Sequence, residues 1–273
     1  MGLDFCDLQG RGRDGMPGYR KRARIAVGGQ ATIHRGIDVD TGQEVALKYL
    51  TPEDSRKSDP AKFEKDRIRF LREVREQGRL EHANIMPVLG FSGRGQKPWY
   101  AMPLAEGSLQ DILDSERRDV GWSLGVIHEV IDGMEYAHGE GVIHRDLKPN
   151  NVLFLEGDWV VSDFGYCRNV NSESLRITDA EKLVGTTIYA APEQYDDAHI
   201  VNETADVWAI GKILIHCLVW NMPPPGGNRL NEIPPEFKAT VLRCVAEDPN
   251  DRFQNMSDLR ESLISAFEDY RKE

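Results

Sequence analysis

Asp146, Lys148 and Asn151 fall together in the stretch VIHRDLKPNNVLF (142–154), and Asp163 follows at the end of the apolar run in VVSDFGYCR. A carboxylate, an ammonium and an amide bounded by apolar residues fit a loop that does chemistry, and equally a polar turn between two strands. Pro149 restricts Lys148 to extended geometry, so the stretch is a loop rather than a helix. If it does chemistry, Asp146 offers a carboxylate base. Asn151 and Asp163 offer oxygen ligands of the hard kind that Mg²⁺ prefers alongside substrate phosphates. Such a set suits phosphoryl transfer, which also needs backbone and a lysine on the phosphates.

Candidates for those parts lie upstream. IAVGGQATI (25–33) sets Gly28 and Gly29 between two strand patterns. Glycines let backbone N–H groups approach phosphate oxygens, although a glycine pair between strands is more often a plain turn. VALK ends a strand pattern at Lys48; on its own, such a lysine usually keeps its ammonium in solvent. Glu73, on the helical pattern that follows, could reach back to it as an ion pair.

These residues need elements to hold them. YRKRARIAVGG starts a strand, and TIHRGIDVD and QEVALKYL alternate around a TG turn, the signal of a β-hairpin. AKFEKDRIRFLREVREQGRLEH carries Phe63, Arg67, Phe70, Leu71 and Val74 at helical spacing. IMPVLGF and PWYAMPL read as two more strands. Helical patterns then dominate, at 108–117, 122–139, 204–220, 236–247 and 256–271. The chain therefore reads as a flexible leader (1–18), a small β-rich lobe to about 103, a connector at 103–106, and a larger helical lobe from 107 to 273.

Composition narrows the function classes. A net charge of −11 over 273 residues argues against nucleic acid as a partner. Cys6, Cys167, Cys217 and Cys244 are widely spaced, with no Cys-x-x-Cys pair, so neither a zinc knuckle nor a disulfide framework is indicated. A reducing, cytoplasmic setting fits. VWAIGKILIHCLVW is too short and too polar for a membrane span and reads as a buried core helix. Gly2 would suit myristoylation, but Cys6 stands where that motif calls for Ser or Thr.

In this order the motifs resemble the eukaryotic-type serine/threonine protein kinases, and most of all their bacterial members: VALK, Glu73, HRDLKPNN (144–151), DFG (163–165) and APE (191–193). DVWAIG (206–211) is similar to the family's buried helix start, and DPNDRF (248–253) supplies Arg252 as a partner for Glu193. The likeness covers roughly residues 20–268. It implies an α+β, bilobal protein-kinase-like fold, with a small antiparallel N-lobe bearing one long helix and a mainly helical C-lobe. It implies ATP and Mg²⁺ as cosubstrate and cofactor, and protein Ser/Thr hydroxyls as acceptors. Self-association for trans-autophosphorylation belongs to the same expectation.

The roles it implies are specific. Lys48 would hold the α- and β-phosphates and pair with Glu73; Asp146 would orient the acceptor hydroxyl; Lys148 would steady the γ-phosphate; Asn151 and Asp163 would bind Mg²⁺. Adenine would sit between Ala46 and Leu153, against Ile33, with Ile25 and Ser108 completing the nucleotide set. Met102 would be the gatekeeper, with the Pro103 carbonyl and the Ala105 N–H as hydrogen-bonding partners. Arg145 would answer a phosphate on the segment 163–193, where Ser172, Ser174, Thr178, Thr186 and Thr187 are candidates and Thr178 is favoured. Lys148 together with Thr186 in GTTIY is the Ser/Thr pattern rather than the tyrosine one.

Four departures stand out. Ala26 and Ala31 replace two phosphate-loop glycines, a small enough change for nucleotide binding to survive. Gln77 sits one helical turn after Glu73, where the family buries an apolar residue, so the Lys48–Glu73 pair is expected to form less readily unless the amide finds a polar neighbour. Asn150 replaces a common glutamate, which removes grounds for assuming a basic substrate. NMPPPGGNRLNEIPPE (221–236) is not helical where the family has a docking helix. The rival readings are a nucleotide-binding pseudokinase scaffold and a small-molecule phosphotransferase.

Overall fold

The computed structural model describes residues 18–28, 31–51, 59–93, 97–166, 168–169, 188–196, 201–224 and 228–272. Outside them lie the leader to residue 17, Cys6, Gly29, Cys167 and the candidates Ser172, Ser174, Thr178, Thr186 and Thr187. The chain forms two compact units. One runs to Glu106 and includes Asp163–Tyr166; the other comprises Gly107–Ser162 and Cys167 onward.

Among the described residues, the first unit is a five-stranded antiparallel sheet with one long helix. The strands are β1 (Tyr19–Val27), β2 (Ala31–Asp38), β3 (Glu44–Leu50), β4 (Gly90–Ser92) and β5 (Trp99–Pro103), in the order β1-β2-β3-β5-β4. The β2–β3 turn is closed by Asp38, whose Oδ1 accepts the N–H groups of Asp40 and Thr41. Gly42 there takes φ 75°, a conformation that costs glycine little. Side chains alternate across the sheet. Val45 and Leu47 pack with Trp99 and Ala101 on one face, roofed by Tyr19 and Tyr49. Ala46 and Lys48 emerge on the other, opposite Met102 and Tyr100 of β5. The strand expected over 85–91 is shorter, since only Gly90 and Phe91 of it enter the ladder; Pro87 lacks the N–H that a continuous strand would use.

The helix α1 (Pro60–Gly78) has few β-branched residues and buries Phe70, Glu73, Val74 and Gln77, a stripe at helical spacing. The turn Phe164–Tyr166 lies against this helix, and a Cβ on Gly165 would come 3.1 Å from Glu73 Oε2. That contact explains why residues 163–166 belong with the first unit rather than with the larger lobe, where the sequence placed them.

In the second unit the helices are α2 (Leu109–Leu113), α3 (Val120–Gly139), α4 (Glu193–Asp196), α5 (Thr204–Val219), α6 (Pro235–Cys244) and α7 (Met256–Tyr270). Two small antiparallel sheets accompany them: β6 (Gly107–Ser108), β8 (Val152–Leu155) and β9 (Asp158–Val161) form one, β7 (Val142–Ile143) and β10 (Arg168–Asn169) the other. Every residue of α5 is buried, as VWAIGKILIHCLVW suggested. Leu124, Ile127 and Met134 of α3, Phe237 and Val241 of α6, and Leu259 and Leu263 of α7 complete this core, all at most 2% exposed. Each such side chain contributes about 1.5–3 kcal/mol relative to exposure. Gly211 allows α6 to approach, since a Cβ there would stand 2.5 Å from that of Cys244. Between α5 and α6, the described residues hold one short turn, Leu230–Glu232, and no α-helix.

Candidate active site

The loop with Asp146 lies wholly in the second unit and is pinned through its backbone. Asp206, near the start of α5 and 0% exposed, accepts the N–H of His144 at 2.9 Å and that of Arg145 at 2.8 Å. Its Oδ2 also meets His138 Nε2 at 2.8 Å. Burial alone would raise the Asp206 carboxyl, but His138, the nearby His144 and the Arg145 N–H outweigh it, and the group is held below its ordinary value. His144 Nε2 donates to the Ser162 carbonyl at 3.0 Å, so its Nδ1 is free to accept the Asp146 N–H at 3.2 Å.

This anchoring holds Arg145 at φ 67°, in the left-handed region. A non-glycine residue there costs about 1–3 kcal/mol and persists only where its surroundings over-determine it. The outcome is Asp146 at 6% exposure, with Oδ2 taking a hydrogen bond from Lys148 Nζ at 2.7 Å. Asn151 donates Nδ2 to the Asp146 carbonyl at 2.8 Å. That bond fixes the amide's orientation and commits its nitrogen, which leaves Oδ1 as the group with ligand chemistry.

The second constellation belongs to the first unit. Lys48 Nζ stands 2.6 Å from Glu73 Oε1 and 3.1 Å from Asp163 Oδ2. Burial would lower the Lys48 ammonium, but Asp163 and Glu73 overcome it and hold it well above its ordinary value. Burial raises Glu73 to about 7, against the pull of Lys48. Tyr100, opposite Lys48 in the β3–β5 register, donates its hydroxyl to Glu73 Oε1 at 2.6 Å. The sequence reading missed Tyr100, although alternation along PWYAMPL places it on the same face as Met102. Asp206 was missed as an anchor too, because nothing local announces which backbone groups it holds.

Gln77 is 0% exposed and donates Nε2 to the Met86 carbonyl at 2.9 Å. The amide has found its polar neighbour, and the Lys48–Glu73 pair is formed. Gln77 Oε1 stays buried without a hydrogen bond.

The remaining expected residues divide between the units. In the first, Ala46 and Met102 are buried, Ile33, Pro103 and Ala105 are part-exposed, and Ile25 is 49% exposed at the end of β1. The Gly28 N–H closes the β1–β2 turn on the Ala31 carbonyl at 2.8 Å. In the second, Leu153 is half-buried on β8, and Ser108 caps α2, its Oγ accepting the Asp111 N–H and donating to Asp111 Oδ2. Arg252 grips Glu193 with two bonds, at 2.7 and 2.9 Å, and is itself fully buried.

Neither constellation gathers three metal-ligating His, Cys, Asp or Glu side chains, and no such group occurs among the described residues. The donor set fits a Mg²⁺ held by one or two oxygen ligands with substrate phosphates, rather than an all-protein cage. Among the described residues no helix is long and apolar enough to cross a membrane.

Comparison with known proteins bears on the family. The protein kinase domain family matches residues 19–269. The serine/threonine-protein kinase PknL of Mycobacterium tuberculosis is 31% identical over 256 residues, covering 86% of this chain and 62% of that protein. PknB of Mycolicibacterium smegmatis is 27% identical, covering 89% of this chain and 42% of the relative. The chain thus spans about three fifths of the length of PknL, and less of PknB. The crystal structure of the Mycobacterium tuberculosis PknI kinase domain superposes with a TM-score of 0.68 at 23% identity, covering 91% of this chain and 96% of that one. The chain belongs to the protein kinase domain family and is most like its bacterial serine/threonine members.

Proposed function

We propose that this chain, with residues 19–273 as its catalytic domain, transfers the γ-phosphoryl group of ATP to Ser and Thr hydroxyls of proteins, its own activation segment included. The observation that carries the reading is Lys48, buried yet charged between Glu73 and Asp163. A nucleotide-binding scaffold would use Lys48 too, but would have no need of Asp146 as a base with Lys148 Nζ 2.7 Å from its Oδ2. Asp146 orients the acceptor hydroxyl and takes its proton as the oxygen attacks the γ-phosphorus and the bond to the β–γ bridging oxygen breaks. Lys148 offsets charge on the moving phosphoryl group, and Lys48 positions the α- and β-phosphates. Asn151 and Asp163 are the proposed Mg²⁺ ligands, and the ion would neutralise charge on the phosphate oxygens.

Ala46, Ile25, Ile33, Met102 and Leu153 are proposed as adenine contacts, with Gly28, Gly29, Pro103, Ala105 and Ser108 supplying backbone and polar partners. Arg145 is proposed to answer a phosphate on Thr178, with Thr186 on the same segment. The compartment is proposed to be the reducing cytoplasm. Burial raises the thiols of Cys217 and Cys244 to about 12, so both are inert packing groups.

The test is transfer of labelled γ-phosphate by the wild type and by Asp146→Asn, followed by mass spectrometry of residues 172–187. Removing the base should slow transfer by about 10²–10⁴-fold. Equal background in both proteins would sink the kinase reading.

A further inference from the structure

Gln194 follows the Glu193 that Arg252 anchors, and its carboxamide is used at both ends. Nε2 donates to the Arg145 carbonyl at 2.8 Å, and Oε1 accepts the Ala191 N–H at 3.0 Å. The orientation of the amide is not a matter of choice, because a carbonyl needs a donor and an N–H needs an acceptor. The Arg145 carbonyl belongs to the peptide group that enters Asp146. The other end of that peptide, the Asp146 N–H, is held by His144 Nδ1 at 3.2 Å. Upstream, the Arg145 N–H is held by Asp206 at 2.8 Å. Gln194 therefore grips the second backbone hydrogen-bonding group of a residue at φ 67°, the first being the N–H held by Asp206.

We propose that Gln194 is a positioning residue for Asp146. It fixes the plane of the Arg145–Asp146 peptide, and so the direction in which the carboxylate leaves the backbone, and it ties that plane to the chain at Ala191. The inference rests on the kinase reading for its effect on rate, but its geometry can be tested without it.

Gln194→Glu separates the two bonds. A carboxylate still accepts from Ala191, but it turns an oxygen toward the Arg145 carbonyl and repels it. Loss of that one bond should lower kcat by about tenfold, with KM for ATP and for a peptide substrate within about twofold, since neither is bound through this amide. In hydrogen exchange the Asp146 amide should open faster while the Ala191 amide stays as protected as in the wild type. Gln194→Met, which removes both bonds at similar volume, should expose both amides and so serves as the second variant if Gln194→Glu fails to fold.

A kcat for Gln194→Glu within twofold of wild type would overturn the proposal. So would a lowered kcat accompanied by faster exchange at Ala191 as well, because that pattern describes general loosening. If the wild type itself transfers no phosphate, the kinase reading falls, and exchange alone then decides: an unchanged Asp146 amide in both variants rejects the positioning role.

Discussion

Each unit buries a lysine, and the two could hardly differ more. Lys48, on a strand of the sheet unit, is 8% exposed and is answered by two carboxylates, which hold its ammonium well above the ordinary value. Lys212, on α5 of the helical unit, is 2% exposed; its Nζ donates to Asn228 Oδ1 at 2.6 Å and lies 5.3 Å from the centre of the Trp208 ring. Burial lowers that ammonium to about 8. An amide and a ring face do not repay the loss of water as a carboxylate does. Burial alone therefore does not set the two lysines apart; their partners do. The first is an ammonium between two carboxylates, the charge on which the proposed reaction depends, and the second links α5 to Asn228 of the segment that follows it.

The contrast fails at its strongest point if Lys48 is dispensable. Lys48→Met should reduce phosphoryl transfer by about 10³-fold, as removal of a preorganised charge from a transition state does; steady-state assays that find activity within tenfold of wild type would equate the two lysines after all. Asp206 extends the comparison to a buried anion answered by backbone donors. Asp206→Ala orphans the N–H groups of His144 and Arg145, and should cost about 4 kcal/mol in urea unfolding.

Lys212→Met sharpens the other side. Below pH 8 the folded and unfolded chains both carry the ammonium, and the cost of burying it is fully present. Between about 8 and 10.5 the unfolded chain binds a proton that the folded chain does not, so wild-type stability from this group rises with pH. The stability advantage of Lys212→Met at pH 7 should therefore shrink as pH rises to 10, by up to roughly 3 kcal/mol. A gap that stays constant in denaturant titrations would mean that Lys212 is not strained by burial. The smallest effect belongs to Tyr100→Phe, which deletes one charge-assisted bond to Glu73 and should cost about 2 kcal/mol in thermal unfolding. An unchanged midpoint would leave Lys48 as the sole support of that carboxylate.

A division into two units and a set of candidate residues could be named from the sequence because local signals carry them. Pro149 made a loop of HRDLKPNN and the apolar α5 announced its own burial, whereas Lys48 read alone suggested an ammonium in solvent, and only the order of motifs around it pointed elsewhere. What was not legible depends on distant register or on backbone groups. Tyr100 reaches Glu73 because β5 pairs with β3 in one particular register. Asp206 and Gln194 act on carbonyl and N–H groups that look the same in any sequence. The grouping of Asp163–Tyr166 with the sheet unit followed from the contact of Gly165 with Glu73, which no pattern of hydropathy encodes. Gln77 illustrates the limit differently: its cost was foreseen, and its partner, the Met86 carbonyl, was not.

The complete burial of α5 has a consequence for how the chain reaches its fold. A helix with no face for water cannot be stable before its neighbours arrive, and those neighbours are remote in sequence. Ser123 Oγ of α3 bonds the Cys217 carbonyl across 94 positions, and Arg252 reaches the Thr204 carbonyl across 48. Such closures are slow, because chain entropy is lost before the contacts repay it. Folding of the second unit is thus expected to wait on the docking of α3 and of the Arg252 segment against α5, and the amides of Val207–Leu218 should be among the last to exchange with deuterium.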